Sequence, residues 1–186
     1  MSLRRGFKAG ANRISVRLRR SFGLRADAPI DLAAIAARLG IRLVPLSAFA
    51  ADHPAAVNQL TGIDTVAFSA ATLAIEDGVR IILYNDSHDA GRQQNSIAHE
   101  IAHVLLGHQA TLPIDASGTR LVDRDIEDEA NWLGATILIS DEAALRIARD
   151  NLDTQTACSL YKVSAAVLRM RINASGAMIR VKRAVH

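Results

Sequence analysis

Residues 97–108 read IAHEIAHVLLGH. From about Ala90 to Leu106 the apolar spacing is helical, with Ile97, Val104 and Leu105 free to face a core. Gly107 offers the stop at the C-terminal end. On such a helix His99 and His103 stand four residues apart, about 40° around the axis and one turn along. Their imidazoles can aim at one point, leaving the core-facing side to the apolar residues.

Two imidazole nitrogens from one turn suit a zinc ion, which takes neutral histidine at roughly 2.0–2.1 Å in a tetrahedral shell. Glu100 is rotated by about 100° from His99. It falls beside the ion, where a general base for the attacking water belongs. Ala98 and Ala102 leave room around the ligands. A third protein ligand is needed. His108 lies out of register with the metzincin spacing, and Gly107 ends the helix before it. It reads as a helix-end or cleft residue. The acidic run Glu127-Asp128-Glu129-Ala130-Asn131 is the other source. A second helix crossing the first could present either Glu127 or Glu129, and spacing alone does not choose between them.

Around this motif the pattern predicts an α+β fold. Asp31 caps a short helix that stops at Gly40, and IRLVPL (41–46) suits an edge strand limited by Pro45. Residues 58–84 read as β-rich, with Asp77-Gly78 a hairpin signal between apolar runs. A loop is expected over 108–124 and a helix over 125–138. Ser140 then caps a further helix, and two short helices fall near 154–161 and 164–174. One domain is expected, divided into a basic N-terminal helix (1–25), a helix and small sheet (26–90), the metal-site helices (91–139) and C-terminal helices with a tail (140–186).

Composition sets the bounds. The chain has 186 residues, 49% hydrophobic and 22% charged, which is globular rather than disordered. Cys158 is the one cysteine, so no internal disulfide framework exists, and a reducing, cytoplasmic setting is expected. No apolar run reaches the roughly 20 residues that span a bilayer. Residues 1–25 hold eight basic groups and no acid. They read as an amphipathic helix with Ile14, Leu18 and Phe22 on one stripe and a solvated basic face.

Several stretches together resemble the ImmA/IrrE family of zinc metallopeptidases. They are Pro29-Ile30-Asp31-Leu32, Ile82-Leu83-Tyr84-Asn85, Arg92-Gln93, the segment from Ser96 to His103, Glu127 to Asn131, and Val163 to Arg171. The resemblance implies one zinc ion per chain, held by His99, His103 and Glu129, with Glu100 as catalytic base. The arrangement is gluzincin-like, with two histidines from one helix and a glutamate from a later one, and the fold expected is a small antiparallel-rich sheet packed against a zincin-like helical bundle with extra C-terminal helices. It also implies an endopeptidase acting on a helix-turn-helix repressor in stress or mobile-element regulation. The chain departs from the family at Trp132-Leu133-Gly134-Ala135 and Ile139-Ser140, which touches packing rather than ligands.

Secondary roles stay open at this level. Tyr161, His108, Tyr84 and Arg92 are candidates to stabilise an oxyanion, and Asn131 and Asp128 to orient the imidazoles. Two other readings compete. One is a zinc-bound interaction protein, a repressor or toxin–antitoxin partner with little protease activity. The other is a DNA-binding regulator working through residues 154–174, whose helical pair carries basic residues.

Overall fold

Helix α4 (Ala90–Leu106) has the predicted bounds. The Asp89 carboxylate accepts a hydrogen bond from the backbone N–H of Arg92, and Gly107 closes the helix at φ 71°. Its buried face carries Ile97, Ala98, Ile101 and Ala102. The computed structural model that shows this describes residues 3–65, 67–74, 79–108 and 123–184.

One side of α4 meets a three-stranded sheet in the order β1 (Ile41–Pro45), β3 (Arg80–Tyr84), β2 (Ala70–Ala74). The strands β2 and β3 are antiparallel, with Ala74 opposite Arg80, as a hairpin requires. The Asp77-Gly78 turn itself lies outside the described residues. The pair β1 and β3 is parallel, so the sheet is mixed rather than antiparallel-rich. The cause is connectivity: the chain leaves β1, enters the sheet again on the far edge as β2, and returns as β3 into the gap between them. Central β3 buries Ile81 and Ile82.

The β-rich reading of 58–84 holds only from Ala70 onward. Pro54 opens a short helix, α3 (Pro54–Asn58), which runs into a π-helical turn over Gln59–Ile63. Proline at the first helical position presets φ for a helix and lacks only an N–H that would go unused. Asn85, fully buried, then donates to the carbonyls of Leu60 and Phe68 at 3.1 Å each and fixes the approach to β2.

The other side of α4 packs on α5 (Arg124–Leu138), which packs in turn on α1 (Phe7–Ser21). Helix α2 (Leu32–Arg38) covers β1 and touches α4. Helices α6 (Asp141–Arg149), α7 (Thr154–Tyr161), α8 (Ala165–Ser175) and α9 (Ala177–Ala184) close the C-terminal side. Ser140 caps α6 by accepting from the Ala143 N–H, as expected, whereas α9 occupies the stretch expected as a tail. Among the described residues no helix is long and apolar enough to cross a membrane.

Helix α5 ends without a glycine, so its last carbonyls need partners from elsewhere. Ser15 donates to the Thr136 carbonyl at 2.7 Å. Arg19 donates to Ile137 and Leu138 at 2.9 and 3.1 Å. Arg171 of α8 donates to Ile139 at 2.9 Å and to Asp141 at 2.6 Å. Both arginines are buried. The stripe of Ile14, Leu18 and Phe22 packs against the core as predicted, but the basic character of α1 is not all solvated. Arg171, counted among the basic residues of a helix-turn-helix, faces inward. The C-terminal end of α5 is thus fixed in rotation as well as in place, which bears on what its first turn presents.

Candidate metal centre

Helices α4 and α5 approach closely because their facing residues are small. Ala98 and Ala102 lie opposite Ala130 and Gly134, all buried. A Cβ on Gly134 would sit 3.0 Å from the backbone of Ala98 and His99. The helices run in opposite directions. Gly134, well into α5, meets Ala98, while Glu127 near its start reaches the His99–His103 turn.

Among the described residues three donor groups converge there: His99, His103 and Glu127. The two Nε2 atoms are 2.9 Å apart. The Glu127 carboxylate lies 3.2 Å from Nε2 of His99 and 3.7 Å from Nε2 of His103. Ligands about 2.05 Å from a tetrahedral ion are about 3.3 Å from one another, a value these separations bracket. Two neutral nitrogens and one carboxylate are also a fitting donor set for zinc.

Glu129 is elsewhere. On a helix it stands about 200° from Glu127, so one orientation of α5 cannot deliver both. Glu129 is buried beside His108 and is gripped by Arg4, whose Nη2 donates to Oε2 at 2.7 Å while Nε donates to Oε1. The structure therefore gathers Glu127, not Glu129, with the imidazole pair. Glu129, which the resemblance implies as the third ligand, is the residue that α5 turns toward Arg4.

Glu100 is buried, with 8% of its surface exposed, and accepts a 2.7 Å hydrogen bond from the Thr72 hydroxyl of β2. An open cleft of about 340 Å³ brings together Phe68, Ser69 and Ala70 of the sheet edge, Ser96, His99 and Glu100 of α4, and Glu127 and Asn131 of α5. Asn131 is thus at the site, on the face of Glu127 one turn on. Arg92 donates to the Ser69 hydroxyl at 3.1 Å and braces the wall of this cleft. Tyr84 ends β3, opposite Ala70 on one side and Pro45 on the other. Tyr161 is remote from the cleft lining: buried, it donates to the Asp27 carbonyl at 2.8 Å, and burial pushes its phenol up.

His108 packs behind His103, with Nδ1 of the two rings 3.0 Å apart. Burial draws its pKa down, against the pull of Glu129 and Glu127. A second hollow, about 440 Å³, is lined by Leu3, Arg4, Leu106, His108 and Glu129.

The Thr72 contact to Glu100 and the Arg4 contact to Glu129 both join residues distant in the chain and carry no local signature. Gly134 did carry one. A glycine inside a helical pattern costs about 1 kcal/mol, which signals a packing reason.

A family model described as the IrrE N-terminal-like domain, a peptidase family, matches residues 36–173. No curated protein and no solved structure gave a match. The matched span holds α4, α5 and the whole sheet.

Proposed function

Because the chain belongs to the IrrE N-terminal-like peptidase family, we propose that it is a zinc-dependent endopeptidase of zincin-like architecture, holding one zinc ion through His99, His103 and Glu127. The observation that carries this reading is the meeting of those three donors beside an open cleft that His99, Glu127 and the buried carboxylate of Glu100 line. When bound, zinc supplies Lewis acidity, activating water near neutral pH and polarising a carbonyl. Glu100 takes the proton of the attacking water and hands it to the departing amine nitrogen. The Thr72 hydroxyl fixes one oxygen of Glu100 by donating to it, leaving the other free to accept. The outer edge of β2 beside the cleft suits an extended peptide, which would pair with it as an added strand.

The substrate proposed is a helix-turn-helix repressor, cut to relieve repression; the support is kinship. The test combines metal analysis with a cleavage assay. Purified protein is expected to hold about one zinc ion per chain. His99→Ala, His103→Ala and Glu127→Ala are each expected to lose it, while Glu129→Gln retains it. Glu100→Gln should keep zinc and lose cleavage of a repressor encoded beside this chain. Zinc retained by Glu127→Ala and lost by Glu129→Gln reverses the ligand assignment. Cleavage retained by Glu100→Gln removes its role as base. A parent protein that binds zinc and the repressor without cutting it is an interaction partner rather than a peptidase.

A further inference from the structure

A histidine that ligates a metal through Nε2 holds its ring by donating a hydrogen bond from Nδ1. For His99 that nitrogen is buried with no hydrogen-bond partner among the described residues. For His103 it lies 3.0 Å from Nδ1 of His108. The other nitrogen of His108 lies 3.9 Å from Oε2 of Glu129, beyond hydrogen-bond length but within ion-pair reach. Arg4 holds Glu129 from the far side through a two-point contact.

One placement of protons satisfies this whole row. His103, with Nε2 turned to the metal position, must carry its proton on Nδ1 and donate it to His108. The Nδ1 of His108 must then be bare, so its proton sits on Nε2, the nitrogen nearer the Glu129 carboxylate, whose charge favours it there. Glu129 is left as an acceptor from Arg4. Reversing any one link sets two protons or two lone pairs against each other.

The geometry points to His108 as a positioning residue, which fixes the ring and tautomer of His103 for zinc and whose own tautomer is favoured electrostatically by Glu129, held in turn by Arg4. The inference rests on the zinc reading above. It gives a role to Glu129 that differs from ligation, and to His108 one that differs from contact with substrate. It also gives the N-terminal segment, outside the span matched by the family model, a hand in the metal centre.

The experiment is zinc affinity of the full chain, measured by competition with a chromogenic chelator, beside His103→Ala as the no-site reference. His108→Leu removes the acceptor and is expected to weaken zinc binding about tenfold or more. His108→Asn places an amide oxygen where Nδ1 stood and is expected to restore affinity to within about threefold of the parent. Leucine as tight as the parent overturns the proposal, and so does asparagine as weak as leucine. A parent chain that binds no zinc overturns the zinc reading and this inference with it, a distinguishable result. Should His108→Leu fail to fold, nitrogen-15 spectra of the zinc-loaded parent decide instead. His103 is expected as the Nδ1–H tautomer and His108 as the Nε2–H tautomer, and the opposite tautomer on His108 overturns the assignment.

Discussion

Replacing Gly134 with alanine tests the helix contact on which the centre depends. In an exposed helix this change stabilises by about 1 kcal/mol through propensity. Here the added Cβ would stand 3.0 Å from the carbonyl carbon and oxygen of Ala98 and the nitrogen of His99. All three are backbone atoms of a buried helix, so no side chain can rotate away. Ordinary contact begins at 3.4 Å, so α5 must retreat by about 3.4 − 3.0 = 0.4 Å at this point. Overpacking of that kind costs about 1–3 kcal/mol. Set against the propensity gain, the net loss is about 1 kcal/mol, or ~3 °C in Tm for a chain of this length. The retreat also carries Glu127 from the imidazoles by more than the ~0.2 Å that metal sites tolerate. Zinc affinity should fall on the order of tenfold. The assays are a calorimetric melt of the metal-free chain and chelator competition for zinc. Gly10→Ala on α1 is the control: its Cβ would meet only the end of the Arg13 side chain at 3.8 Å, so it should stabilise and leave zinc binding alone. A Gly134→Ala chain that melts higher than the parent and binds zinc as tightly would refute the reasoning.

Two further outcomes follow from buried groups. Arg19→Leu strands the carbonyls of Ala28, Ile137 and Leu138, and is expected to cost about 3 kcal/mol in urea unfolding. A change under ~0.5 kcal/mol contradicts the anchoring role. Burial raises the phenol of Tyr161 above its ordinary value, so the folded chain keeps a proton that the unfolded chain releases near pH 10. Stability from this group is therefore whole below about pH 10 and declines as pH rises toward the folded value. Ultraviolet difference titration against Tyr161→Phe checks it: ionisation at the ordinary value in the folded parent contradicts the burial.

How much of this was legible beforehand differs by element. The bounds of α4, the cap at Ser140 and the helix pair at 154–175 were readable because capping, apolar period and glycine stops act within one turn of chain. Residues 58–63 read as β-rich yet form the end of α3 and a π-helical turn, because short apolar segments satisfy both periods. The parallel pairing of β1 was also hidden, since strand order depends on where the chain re-enters the sheet.

The same division runs through the centre. That His99 and His103 share a face, with Glu100 beside them, is a property of 3.6 residues per turn and needs no fold. Which carboxylate joins them is not local. Glu127 and Glu129 sit on one helix on opposed faces, and the rotation of α5 about its own axis selects between them. That rotation is set by Gly134 against Ala98 and by Ser15, Arg19 and Arg171 on the final carbonyls, contacts that close only when α1, α4 and α8 are in place. Sequence supplied the histidine pair and the chemistry it favours. Tertiary packing brought Glu127 to that pair and turned Glu129 toward Arg4.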